Sequence, residues 1–136
     1  MEETTTINMP IMYVFVRKDI PYIHQAVQAS HAVAKFLLEH EPVYCGARWT
    51  NGTMVFLRVD GEHDLHTQYN NLSMSDHKCA MFVEPDWGVT PITTCFATIG
   101  FRYEFIGYKT VRMPLTFKAL RKKWKKNILK FIGLDK

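Results

Sequence analysis

Ile11-Met12-Tyr13-Val14-Phe15-Val16 is an unbroken apolar run ended by Arg17-Lys18-Asp19 and Pro21. It predicts a central strand covered on both faces, since a half-exposed strand would alternate apolar with polar. From Ile23 to Glu39 the spacing changes: Ile23, Val27, Ala34, Leu37 and Leu38 recur at helical intervals, and Glu41-Pro42 stops the pattern. His24, Gln28, His31 and Lys35 share a second stripe of the same helix. The expectation is that the apolar stripe meets the core and the polar stripe stands out as a ridge.

Val43 to Trp49 reads ambiguously, and Asn51-Gly52 makes a turn. A second strand follows over Thr53–Val59, closed by Asp60-Gly61. Glu62 to Met74 carries Leu65, Tyr69 and Leu72 at spacings that give a short helix, its other faces polar. His77–Val83 and Thr93–Phe101 are the third and fourth strands, separated by a loop that holds Glu84-Pro85-Asp86-Trp87-Gly88. That order predicts an α/β fold, a three-layer α/β/α sandwich with mostly parallel strands. The last connection is too short for a crossover helix, so its two strands are antiparallel and the four-stranded sheet is mixed.

Composition changes this picture little. The chain has 136 residues, 47% hydrophobic and 22% charged, enough for one domain with a sizeable core. Three cysteines without CxxC spacing, no apolar run long enough to span a bilayer and no signal-like start point to a soluble, cytoplasmic protein.

Charge changes it more. Residues 118–136 hold eight Lys or Arg against Asp135 alone, a net +7, so the preceding 117 residues carry −3 of the total +4. Phe117, Leu120, Trp124, Ile128 and Phe131 follow helical spacing among these lysines. We divide the chain into a domain over residues 1–110 and a basic amphipathic C-terminal helix over 111–136. That helix either docks its apolar face on the sheet, with its lysines solvated, or offers Lys122, Lys123 and Lys126 to RNA phosphates, or lies on an anionic membrane surface through residues 117–134. A homodimer is also compatible with the sequence.

Arg17-Lys18-Asp19 at the end of the first strand, Ala26-Val27-Gln28-Ala29-Ser30-His31-Ala32 in the first helix, Asp86-Trp87-Gly88-Val89-Thr90 after the third strand and Thr98-Ile99-Gly100 closing the fourth stand in a set order. Together they resemble the class II peptidyl-tRNA hydrolases over roughly Met12 to Phe101. Those enzymes have an Arg-x-Asp strand end, a Gly-Lys lead into an Ala-Ala-Gln-x-Ser-His-Ala helix, and an Asp-Ala-Gly-x-Thr loop before a strand ending in Ile-Gly. This chain departs at the family's catalytic lysine, where it reads Ile23-His24.

The resemblance implies an esterase that cleaves peptide from tRNA, or a catalytically silent relative that binds tRNA or a protein partner in the same cleft. The reaction needs an activated water and donors for the oxyanion, and no metal or other cofactor. His24, in the first turn of the helix, would serve as general base, kept neutral by the positive helix end. Asp86 would orient that imidazole or the water, and a threonine, Thr90 or Thr94 (with Thr93 also near), would hold the substrate. Lys18, Gln28 and His31 complete the substrate-binding set. Lys18 or Lys78 could supply the charge of the missing lysine. The plainer alternative is that the polar stripe is a solvated face and Asp86 a turn residue. His63, His66 and His77 lack the spacing and partners of a metal site.

Overall fold

The computed structural model describes residues 9–85 and 90–111. Asp86 and the C-terminal segment with Lys122, Lys123 and Lys126 lie outside the described residues, as does the predicted C-terminal helix. Among the described residues six strands and two helices follow in chain order: β1 (Ile11–Arg17), α1 (Tyr22–Glu39), β2 (Val43–Tyr44), β3 (Ala47–Arg48), β4 (Met54–Val59), α2 (Glu62–Met74), β5 (Cys79–Glu84) and β6 (Ile92–Gly100). A 3-10 turn over Arg102–Phe105 completes them. The ambiguous stretch from Val43 to Trp49 is the hairpin β2–β3, turned by Cys45 and Gly46 at φ 49° and 80°. Two left-handed residues suit the twist of a tight hairpin.

Four strands form a mixed sheet in the order β4-β1-β6-β5. β1 is central, as its apolar run implied. Only β1 and β4 pair in parallel; β6 inserts between β1 and β5 and runs antiparallel to both. The expectation of mostly parallel neighbours is therefore corrected. A short β5–β6 connection returns the chain inward, next to β1, rather than outward.

β1 divides the core by simple alternation. Met12, Val14 and Val16 pack with Ala29, Ala32 and Phe36 of α1. Ile11, Tyr13 and Phe15 pack with Leu65 and Leu72 of α2, where the Phe15 ring stacks on Phe96 at 4.6 Å. At the end of β6 the chain turns back so closely that a Cβ on Gly100 would lie 2.5 Å from the Phe105 ring, which is why this strand ends in glycine. Lys109 to Val111 then run antiparallel along the edge of β4, with Arg58 N–H donating to Lys109 O at 2.8 Å and Val111 N–H to Phe56 O at 3.0 Å.

The orientation of α1 overturns a prediction. Ile23, Val27, Ala34, Leu37 and Leu38 do not form the core face; all are exposed, Ile23 by 75% and Leu38 by 87%. The buried residues are instead Gln25, Gln28, Ala29, Ala32 and Phe36. Alanines let the helix axis approach the sheet closely. The two glutamines tolerate burial because each has partners there: Gln25 Nε2 donates to Ile20 O at 2.6 Å, and Gln28 is bonded on both sides of its amide. In α2 the expectation holds, with Leu65 and Leu72 buried. Among the described residues, no helix is long and apolar enough to cross a membrane.

Candidate functional site

β1, β4 and β5 all finish at one end of the sheet, where β6 begins and α1 starts. Strand ends of this kind are where open α/β folds bind ligands. Among the described residues the first turn of α1 has no side-chain cap, and it contains no acidic residue of its own to meet the positive helix end. His24, the third residue of the helix, is exposed there.

The flank of α1 that carries the polar stripe lies along β5, with His24 and His31 still exposed to water. His31 stacks on Phe82 with ring centroids 4.6 Å apart, and Lys35 Nζ donates to Met81 O at 2.6 Å. Gln28, 2% exposed, is the hub of this flank. Its Nε2 donates to Glu84 Oε2 at 2.9 Å, and its Oε1 accepts from Thr94 Oγ1 at 2.9 Å. Cys95 Sγ donates to the Gln28 backbone carbonyl at 2.9 Å. Burial pushes that thiol up to about 12, so it is no nucleophile. One amide thus ties the helix to the end of β5 and the start of β6.

The predicted site residues divide accordingly. Gln28 and His31 stand on the β5 side with Glu84. Thr94 joins them but is wholly buried, with its hydroxyl proton committed to Gln28. Thr93 Oγ1 donates to Glu62 Oε1 at 3.2 Å and lies 3.1 Å from His66 Nε2. Among the three candidate threonines, Thr90 is the exposed one. Lys18 lies on the β4 side, where its ammonium pairs with Asp60 at 3.0 Å. Lys78 is removed from the site: it precedes β5 and lines, with Tyr44 and Ile99, a pocket at the opposite end of the sheet. Strand direction alone puts it there.

Glu84 and the cluster around Arg17 were missed as functional candidates. Arg17 donates through Nε and Nη2 to both oxygens of Asp19, at 3.0 and 2.8 Å, and through Nη1 to Thr93 O at 3.0 Å. The guanidinium holds the Asp19 carboxyl below the usual aspartate range, chiefly through that hydrogen bonding. This fork pins β1 to β6 at the site end. Glu84 had a readable signal, a carboxylate at the last position of an apolar strand next to Pro85-Asp86.

No family model matches the chain, and no curated protein matches it. Solved structures do. One is a protein of unknown function, Atu0240, from Agrobacterium tumefaciens strain C58. It is similar at a TM-score of 0.55 with 12% identity, over 76% of this chain and 98% of that one. At that identity the likeness is one of fold.

Proposed function

We propose that the chain is a three-layer α/β/α sandwich of the peptidyl-tRNA hydrolase class II kind. In this reading it cleaves the ester between a peptide, or an N-blocked amino acid, and tRNA in the cytoplasm. The observation that carries the reading is the Gln28 bridge, because it belongs to the Gln-x-Ser-His-Ala segment of the resemblance and ties α1 to a carboxylate, Glu84, at the strand end where the helix also begins.

In this reading water attacks the ester carbonyl carbon while His24 takes its proton. The carbonyl oxygen gathers negative charge, which N–H groups at the start of α1 stabilise. The C–O bond to the ribose then breaks, and the ribose oxygen leaves with the proton returned by His24. Such a base contributes about 10²–10⁴-fold. Asp86 orients the imidazole or the water, Thr90 holds the substrate, and Lys122, Lys123 and Lys126 contact tRNA phosphates.

A second reading is favoured by the position of Lys18, which is spent on Asp60. In it the fold binds tRNA or a protein partner in the same cleft without turnover. Release of N-acetyl-aminoacyl groups from tRNA, measured for the unaltered protein, His24→Ala and Asp86→Ala, separates the two. Turnover that drops at least about 100-fold in both variants supports the enzyme, on the scale of general-base catalysis. Salt-sensitive tRNA binding without turnover supports the silent relative. Neither binding nor turnover overturns both.

A further inference from the structure

α1 is narrower than the sheet it covers. It packs across β5, β6 and β1, and its polar flank is tied to β5 through Gln28, His31 and Lys35. The same face of β4 has no helix above it among the described residues; Phe56 there is half-buried and Met54 is exposed. With about 100° between successive residues, the flank of α1 opposite its polar one carries Tyr22, Val33 and Leu37. These positions border an apolar trough between α1 and β4, on the face of the sheet where Trp49 and Val111 also pack. Above it Ile23, Val27 and Leu38 extend the apolar surface outward, more than single scattered residues would supply.

The path of the chain leads into this trough. Lys109 to Val111 run along the β4 edge, and Val111 packs against the core on the α1 side. It also lines, with Tyr22, Gln25 and Arg58, a cavity of about 100 Å³ at the start of α1. Twenty-five residues of the sequence follow Val111. Of these, 117–131 carry apolar side chains at helical spacing, Phe117, Leu120, Trp124, Ile128 and Phe131, with lysines on the remaining surface. Fifteen residues make a helix of about 22 Å, against about 27 Å for the eighteen of α1. The five residues between reach about 16 Å, more than the ~8–10 Å between packed helix axes.

We propose that residues 117–131 dock as a helix in the trough between α1 and β4, apolar face inward and lysines outward. A tethered segment meets this surface at an effective concentration in the millimolar range, which a second copy or a membrane does not match. The inference stands on the trough and the chain path, independently of the hydrolase reading.

Amide hydrogen exchange of the full-length protein, read by mass spectrometry, tests it. In the unaltered chain residues 117–131 should exchange at least tenfold more slowly than an unstructured segment. That protection should vanish in Leu37→Glu/Met54→Glu, whose changes fall on exposed positions of the trough, and in Trp124→Glu, while amides of β1 and β6 stay protected. Four results overturn the proposal: fast exchange of 117–131 in the unaltered chain; protection that survives these substitutions; protection that rises with protein concentration alongside a dimer mass; or protection that appears only with vesicles of anionic phospholipid.

Discussion

α1 and α2 pack on alternate residues of the same strand, yet they follow opposite rules. α2 buries Leu65 and Leu72, turns its polar residues to water, and carries Glu62 and Asp64 in its first turn, where they complement the helix end. α1 buries two glutamines and two alanines, leaves its larger aliphatic residues outside, and has no acid at its start. Both are long enough to be read with ease in the sequence. Their burdens differ, however. α2 closes the core against solvent, whereas α1 carries a polar anchor inward, the proposed site at its N-terminus and an exposed apolar surface.

That contrast predicts unequal costs for mutation. Leu65→Ala should cost the most, about 2–5 kcal/mol in urea or thermal unfolding, through a cavity beneath α2. Ile23→Ser, an equally drastic change in polarity on α1, should cost under about 0.5 kcal/mol. Equal losses would mean that the outward face of α1 is core after all. Next comes Gln28. Its replacement by alanine removes the acceptor of the Thr94 hydroxyl and one donor to the Glu84 carboxylate, and should cost about 1–3 kcal/mol. Leucine, of similar size, should be no better because the same two hydrogen bonds are lost; full stability of Gln28→Leu would reduce the bridge to a packing contact.

A smaller effect than that of Gln28 concerns the Arg17–Asp19 fork. The Asp19 carboxyl is held below its unfolded value of about 3.9, so its contribution is complete above that pH and is lost as pH falls through the lowered value. Asp19→Asn should therefore flatten the acid limb of the stability curve. The side chain is 45% exposed, which keeps the effect below about 1 kcal/mol. An unchanged acid limb would assign the acid sensitivity to other carboxylates.

Why the sequence revealed some of this and hid the rest follows from particular residues. The four strands of the main sheet and the two helices were legible because β1 is continuous, because α2 is amphipathic in the ordinary sense, and because Glu41-Pro42, Asn51-Gly52 and Asp60-Gly61 punctuate the chain, whereas the short hairpin over Val43–Arg48 was not. The face of α1 was not. Periodicity reports that two stripes exist and assumes that the apolar one goes inside, an inference that fails when glutamines find buried partners on other strands. Those partners, Glu84 and Thr94, lie 56 and 66 residues away from Gln28. Strand order was equally remote from local signals: nothing near Lys78 announces that it precedes β5 at the far end of the sheet. The grouping of Gln28, His31 and Thr94 at one end was foreseeable only through the ordered motifs, and Thr94's burial only through its bond to Gln28.

The most direct test of the division of labour between the helices is a titration of isotope-labelled protein with deacylated tRNA, followed residue by residue in NMR spectra. The account predicts shifts at His24, the Gln28 side-chain amide and Thr90, with α2 beyond Glu62 unmoved. Shifts confined to α2 or to the lysines after residue 117, with the start of α1 silent, would contradict it.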